Sequence, residues 1–327
     1  MADLSTTYMG FKLQNPLIVA SCSLTNTVEG VQRCADAGAG AVVLKSMFEE
    51  QIEANAHEIQ KHVWLSGHTE AYDYVRQVGI KTGEQDYLNL LEGAKKAVAV
   101  PVIASLNCVT PDWWTDYARR LESSGADGIE LNIAVLVSDP RHTSKEIEDM
   151  YYRILESVGK SVSIPVAVKI GPYFTSLANT ASGLCARGAS ALVLFNRFYQ
   201  LDINIDKLDL VPAYHFSTPE ELNFSLRWMS LLAGRVKCDL AATTGVHDAG
   251  GFIKQLLVGA AAVQICSTLY KHGIGRIAQI LSNVELWMKK HQFESVAQFQ
   301  GRLSQKASGH PEAYERLQYI KALVGLE

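Results

Sequence analysis

The chain has 327 residues, 48% of them hydrophobic and 20% charged, with a net charge of −4. That length suits one (β/α)8 barrel of roughly 250 residues with insertions as well as it suits two domains. The near-neutral balance, without a run of like charge, excludes a nucleic-acid surface or a basic membrane patch, and the longest apolar stretches fall far short of the roughly 18 to 20 residues that span a bilayer.

Taken in order, eight short apolar, β-branched runs read as strands: Leu17 to Ser21, Ala41 to Lys45, Val102 to Leu106, Gly128 to Asn132, Val166 to Lys169, Ala191 to Asn196, Leu240 to Thr244 and Ala262 to Ser267. Most are continuously hydrophobic, as strands covered on both faces are. Between them lie segments with helical spacing, such as Trp113 to Ser124 and Ser176 to Arg187. Eight alternations of strand and helix predict a (β/α)8 TIM barrel. Runs two, four, six and eight are each preceded by one phrase: Gly38-Ala39, Gly125-Ala126, Gly188-Ala189 and Gly259-Ala260. A glycine there ends the preceding helix in a left-handed conformation. Runs one, three and five open instead with Pro16, Pro101 and Pro165, where a missing N–H does least harm to the ladder.

Two connections are long and leave the C-terminal ends of strands, so both are expected to be lids. Met47 to Asp86 carries His57, His62, Trp64, His68, Tyr72 and Tyr74; Arg197 to Phe224 carries Tyr199, Asp202, Tyr214 and His215. After Thr268, helices are predicted over Ile274 to His291 and Val296 to Ser304, and Gly309 and Pro311 lead to a last helix. The whole reads as a single domain, with the barrel over about 15–290 and a helical extension over about 291–327. The start, MADLSTTYMG, offers no charged n-region or apolar h-region, so a cytoplasmic protein is expected. Six cysteines without a C-x-x-C motif predict buried, reduced thiols. The nine histidines fall in no metal-ligand spacing, so no metal is expected.

The chemistry lies at the strand ends: Ala20-Ser21, Lys45-Ser46, Asn107, Asn132, Lys169, Asn196, Thr244-Gly245 and Ser267-Thr268. An apolar core needs none of these, and a buried lysine is costly without a partner. The last two strands each end in a small residue and a hydroxyl, which leaves backbone N–H groups free to hold a phosphate. Donors converging on one mouth beside a phosphate anchor suit a flat, carbonyl-rich, phosphorylated ligand. Flavin mononucleotide, FMN, fits best.

These residues resemble the dihydroorotate dehydrogenases, especially the class 1 type and the dihydroorotate dehydrogenase-like proteins. The resemblance spans nearly the whole chain. It is carried by NPLIVAS (Asn15 to Ser21), LKS (Leu44 to Ser46), ASLN (Ala104 to Asn107), GIELN (Gly128 to Asn132), VAVKIGPYF (Val166 to Phe174), FNR (Phe195 to Arg197), TTG (Thr243 to Gly245), VQICST (Val263 to Thr268) and KHG (Lys271 to Gly273). It implies an FMN-binding barrel in which Ala20 and Ser21 meet the isoalloxazine and Lys45 lies beside flavin and substrate. It further implies that Asn107 and Asn132 bond the ring edge or substrate, that Lys169 faces the N1 and C2-carbonyl side, and that Asn196 contacts substrate. Gly245, Ser267 and Thr268 would hold the phosphate. The implied reaction passes a hydride from C6 of dihydroorotate to flavin N5 while a general base takes the C5 proton, and class 1 proteins imply a homodimer.

The base position departs from that pattern. After Glu130-Leu131-Asn132 the loop reads Ile133-Ala134-Val135-Leu136-Val137, with Val135 where the base belongs and Val137 where an asparagine would bind substrate. Because general-base catalysis is worth about a hundred to ten thousand-fold, another group must substitute or the substrate must differ. Candidate replacements are Asp139, His142, Cys108 and Tyr173, and Arg197 is a candidate for binding a substrate carboxylate. Two other readings stay open: a Schiff-base aldolase using Lys45 or Lys169, and a flavin-binding protein without catalysis.

Overall fold

The computed structural model describes residues 2–48, 84–107, 111–197, 200–213 and 215–315. Residues 49–83 of the first predicted lid, together with Cys108, Tyr199, Tyr214 and the last predicted helix beyond residue 315, lie outside the described residues.

The chain opens with a hairpin of β1 (Thr6–Tyr8) and β2 (Phe11–Leu13), turned by Met9 and Gly10 at positive φ. The barrel strands are β3 (Leu17–Val19), β4 (Ala41–Val43), β6 (Val102–Asn107), β7 (Gly128–Asn132), β8 (Val166–Ile170), β9 (Ala191–Leu194), β12 (Asp239–Ala242) and β13 (Ala262–Ile265). All pair in parallel, and the contacts β3 to β4, β4 to β6 and β13 to β3 close the ring. A short β5 (Met47–Phe48) adds to β6, and a second hairpin, β10 (Gln200–Asn204) with β11 (Asp209–Ala213), stands in the connection after β9. The eight predicted strands are all present, so this is a (β/α)8 barrel. The helices are α1 (Val28–Asp36), α2 (residues 84–97), α3 (Pro111–Ser123), α4 (Ser144–Ser161), α5 (Leu177–Ala186), α6 (Leu222–Leu232), α7 (Ala249–Val258), α8 (Ser267–His272) and α9 (Arg276–Lys290).

Strand alternation sorts the core into two layers. Leu17, Val19, Val42, Leu44, Leu131, Val168, Leu192 and Val263 point outward and pack under the helices. Ile18, Ala41, Val43, Ile103, Ala167, Ala191, Val193, Ala241 and Ala262 point inward. Many of the inward residues are alanines, and the space they leave is filled by Tyr8 and Met9 of the first hairpin, both buried. The Met9 amide donates to Asp239 Oδ2 at 2.8 Å, which ties this plug to the start of β12. Neither hairpin was foreseen, although Ile203, Ile205, Leu208 and Leu210 alternate with polar residues as a strand pair does.

Three expectations need correction. Cys185 and Cys238 are joined in a disulfide between the last turn of α5 and the approach to β12; their Cα atoms lie 5.5 Å apart, inside the range a disulfide spans. Cys22 and Cys34 are buried and free as expected, and Cys266 is free but half-buried. Val296 to Ser304 is not an α-helix beyond a 3-10 turn at Val296–Gln298. Its backbone donors serve other elements instead: Gly301 N bonds Leu256 O and Leu303 N bonds Leu257 O, which caps the end of α7, and Gln305 N bonds Ser230 O. The described part of the extension, residues 291–315, therefore consists of turns and short 3-10 segments, and α8 and α9 precede it.

Gly38, Gly125, Gly188 and Gly259 all adopt positive φ, at 104°, 91°, 98° and 114°, so the repeated phrase does end helices as predicted. Gly259 carries a second constraint, since a Cβ there would stand 2.5 Å from Ala233 Cβ, whereas a Cβ on Gly125 would meet nothing within 4 Å. Gly125→Ala is expected to cost about 1 kcal/mol from backbone conformation alone. Gly259→Ala is expected to cost about 2 to 3 kcal/mol because the clash adds to it. Urea unfolding of the two variants measures the difference.

Candidate active site

The inward parity of the strands changes character toward the C-terminal mouth. Two residues above the alanine layer, the same alternation presents Ser105 on β6, Glu130 on β7, Lys169 on β8 and Gln264 on β13. Glu130 and Gln264 are each 1% exposed and Lys169 is 9% exposed. The Gln264 side-chain amide donates to Glu130 Oε2 at 2.5 Å, while its carbonyl accepts from Lys169 Nζ at 3.5 Å. Lys169 Nζ stands 3.6 Å from Glu130 Oε1. The lysine is thus held by one carboxylate and one amide, and the cost of burying its charge is met inside the barrel. The Tyr8 hydroxyl below has no hydrogen-bond partner, and burial, with Glu130 and Asp239 adding to it, raises its pKa well above the usual phenol range. Neither Glu130 nor Gln264 was singled out in the sequence, although the parity that turns Lys169 inward turns both of them inward too.

Lys169 opens into a cavity that is also lined by Ala20, Ser21, Asn196, Thr244, Gly245 and Ser267. Residues predicted from five strand ends therefore share one space. Asn132 adjoins it: Asn196 Nδ2 donates to Asn132 Oδ1 at 2.8 Å. Thr244 and Gly245 take successive positive φ values of 72° and 78°, a conformation that suits a tight turn of backbone N–H groups. A Cβ on Gly245 would meet Leu222 N at 2.2 Å, so this glycine makes room for the start of α6. Ser267 begins α8, whose first amides have no acceptor within their own helix. The Thr268 hydroxyl is spent on His247 O at 3.1 Å, so this residue offers a ligand only its backbone. The unforeseen Ser217 completes this side: its amide donates to Ser267 Oγ, its hydroxyl meets His247 Nε2 and its carbonyl accepts from Lys271 Nζ. Burial, followed by the nearby Lys271 charge, lowers the His247 pKa.

Ser46 is placed differently from Lys169. Its hydroxyl lies 3.0 Å from Ser21 Oγ and 2.8 Å from Ser105 Oγ, and Tyr87 of α2 bonds the Ser105 backbone in both directions. This chain of hydroxyls ties the tops of β3, β4 and β6 together. Lys45 and Asn107 are half-buried at their strand ends, and Lys45 Nζ stands 5.2 Å from the Phe48 ring centre.

The described candidate bases, Asp139, His142 and Tyr173, do not line this cavity. Val135 packs on the core, and its amide donates to Tyr151 Oη, which itself donates to Ile133 O. Leu136 is 75% exposed. Asp139, His142 and Tyr173 line a separate cavity of about 310 Å³ beside this loop. Hydrogen bonds from Arg141 hold the Asp139 carboxyl below its usual pKa. Arg197 lines the main cavity, and its guanidinium grips Glu221 at 2.8 and 3.3 Å and donates to His215 O, so a ligand carboxylate would compete with Glu221 for it. Lys169→Met leaves the Glu130 carboxylate buried without its cation, and is expected to cost about 3 to 5 kcal/mol in urea unfolding. Adding Glu130→Gln is expected to recover most of that loss.

Comparisons with known proteins bear on the family. The family model for dihydroorotate dehydrogenase matches residues 3–288. The chain is 26% identical to the catalytic subunit of dihydroorotate dehydrogenase B (NAD(+)) of Thermoplasma acidophilum, over 92% of this chain and 99% of that protein. It is 27% identical to the corresponding subunit of Methanocella arvoryzae, over 86% and 91%. It is also 21% identical to the chloroplastic dihydropyrimidine dehydrogenase (NADP(+)) of Arabidopsis thaliana, over 96% of this chain and 80% of that protein. With the model match covering most of its length, this chain belongs to the dihydroorotate dehydrogenase family of barrel oxidoreductases.

Proposed function

We propose that the cavity at the barrel mouth binds FMN and that the protein is an FMN-dependent oxidoreductase acting on a small, flat substrate. The observation that carries the proposal is the Lys169 ammonium, aimed into the cavity from a buried seat of Glu130 and Gln264. Bound there, FMN would supply a hydride acceptor at N5. Ala20, Ser21 and Lys169, which line the cavity, would hold the ring, with Lys45 and Asn107 from neighbouring strand ends as further candidates, and the Lys169 charge would favour an anionic reduced ring. Thr244, Gly245, Ser267 and the Thr268 backbone take the phosphate. Asn132 and Asn196, bonded to each other, orient a substrate with carbonyl and N–H groups. Ser46 fixes Ser21 in place.

Dihydroorotate is the nominal substrate, and Val135 cannot accept its C5 proton. A second reading has support from Arg197: with its guanidinium committed to Glu221, an uncharged dihydropyrimidine is served better than one carrying a carboxylate. One of the relatives is named for dihydropyrimidines. An aldolase would need a lysine free to attack a carbonyl, and the ion pair at Lys169 opposes that role. By resemblance the protein is a homodimer; among the described residues no helix is long and apolar enough to cross a membrane.

The purified protein is expected to be yellow, or to become so with added FMN, and a chain that takes up none would end the proposal. Under anaerobic conditions an uncharged dihydropyrimidine is expected to bleach the flavin faster than dihydroorotate does. Equal silence from both would point to a flavin carrier without catalysis. Val135→Cys is expected to raise the rate of bleaching by dihydroorotate by about a hundredfold or more, measured in a stopped-flow spectrometer.

A further inference from the structure

Three connections meet on the side of the cavity that ends in Gly245 and Ser267, and the segment after β13 fastens the other two. From the connection after β9, Ser217 donates its amide N–H to Ser267 Oγ at 3.1 Å, and its carbonyl accepts from Lys271 Nζ at 2.7 Å. Tyr270, one residue before that lysine, stacks its ring on Phe216 with the centres 5.0 Å apart. From the turn after β12, the His247 carbonyl accepts from Thr268 Oγ1 at 3.1 Å and from Arg276 Nε and Nη2 at 3.1 and 2.9 Å. Ser217, Thr244, Gly245, Val246 and Ser267 line the cavity, whereas Lys271 and Arg276 do not. Both cations therefore stand behind its wall.

Both cations are spent on neutral oxygens. Arg276 Nη1 likewise donates to the uncharged Gln279 Oε1 at 3.1 Å. The acids nearby are engaged elsewhere: Glu221 pairs with Arg197 at 2.8 Å, Asp248 caps α7 by accepting the Gly251 amide at 2.8 Å, and Glu220 is exposed. Among the described residues neither Lys271 nor Arg276 has a carboxylate within ion-pair distance. We propose that Lys271 and Arg276 are positioning residues for a phosphate monoester dianion, which selects a phosphorylated ligand over its unphosphorylated counterpart. They do this in two ways. A carbonyl oxygen facing an anion repels it, and the two cations draw the Ser217 and His247 carbonyls back behind the wall. They also leave positive charge there without a counterion, and attraction across protein is weakened less than attraction across water. Lys271 is exposed and Arg276 half-buried, so solvent screens the lysine more. That the ligand is FMN rests on the function proposed above; the preference for a dianion rests only on the two cations and the loops they hold.

The test compares the purified full-length chain with its Lys271→Met and Arg276→Met variants. Inorganic phosphate is expected to raise the melting temperature of the unaltered chain above its value in chloride at equal ionic strength, and to lose most of that effect in either variant. FMN and riboflavin, which differ only in the phosphate, are then titrated and followed by quenching of flavin fluorescence. Arg276→Met is expected to weaken FMN binding on the order of tenfold and Lys271→Met about threefold, with riboflavin affinity unchanged in both. Arg276→Lys, which keeps the charge and a donor, is expected to recover part of the loss. Added salt is expected to weaken FMN binding to the unaltered chain more than to either methionine variant. Riboflavin affinity also reports that each variant has folded. Equal loss of both flavins would make the two residues mere fasteners of the loops and overturns the proposal, as does FMN affinity that neither variant changes. A chain stabilised by phosphate that takes up neither flavin would end the FMN reading and leave this inference standing. Indifference to phosphate and to both flavins overturns the two together.

Discussion

The structure depends on one constraint, the two-residue alternation of a strand in a closed barrel, which leaves no choice about which side chains face inward. Low in the barrel that constraint is met with alanines and a hairpin plug of Tyr8 and Met9. Higher up it forces Glu130, Lys169 and Gln264 into a common interior. An isolated charge there would be intolerable, but a carboxylate, an ammonium and an amide that donates to one and accepts from the other form a closed set. The set has a direction, because Lys169 and Gln264 line the cavity while Glu130 lies below them. A charge needed at the mouth is thereby fixed by groups below it, which leaves the mouth free for a ligand.

The strands were legible because continuous apolar runs with proline or Gly-Ala openings have few other readings. The positive φ of all four glycines shows that the repeated phrase carried geometric content. Site residues at strand ends were legible for the same reason, since polarity at the end of an apolar run has no role in a core. Glu130 and Gln264 lie in the middle of such runs, and only the parity count from Lys169 would have found them. Other features depend on partners far away in the chain. Cys185 meets Cys238 across 53 residues, and Arg197 meets Glu221 only because the connection after β9 folds back on itself. A basic residue beside a site asparagine looks like a ligand-binding group until its counterion is known.

The hydroxyl chain from Ser21 through Ser46 and Ser105 to Tyr87 shows how a strand-end motif can be structural. These groups resemble ligand donors in sequence, yet most of their hydrogen bonds go to one another. They hold the tops of β3, β4 and β6 at fixed spacing, so Ser21 faces the cavity with its position set by Ser46. Thr268 is similar: its hydroxyl secures the loop at His247, and its backbone is what remains for an anion. The ligand-facing surface is therefore smaller than the polar set, and the remainder is its support.

The loop after β7 bears most directly on the chemistry. It is anchored at Ile133 and Val135 by the Tyr151 hydroxyl, then carries exposed Leu136 and turns away toward Asp139 and Arg141. An anchored backbone puts Val135 in a defined place, and on the proposed reading this apolar residue stands where the resemblance would put a base. Asp139, His142 and Tyr173 gather in the neighbouring cavity instead, with the carboxylate already satisfied by Arg141. On the proposed reading, hydride transfer would need alignment on a flavin, for which Asn132 and Asn196 are the candidates. Proton transfer needs a titratable group within hydrogen-bond reach. On that reading the candidates for the first requirement share one mouth, whereas Asp139, His142 and Tyr173, the described candidates for the second, stand in the neighbouring cavity.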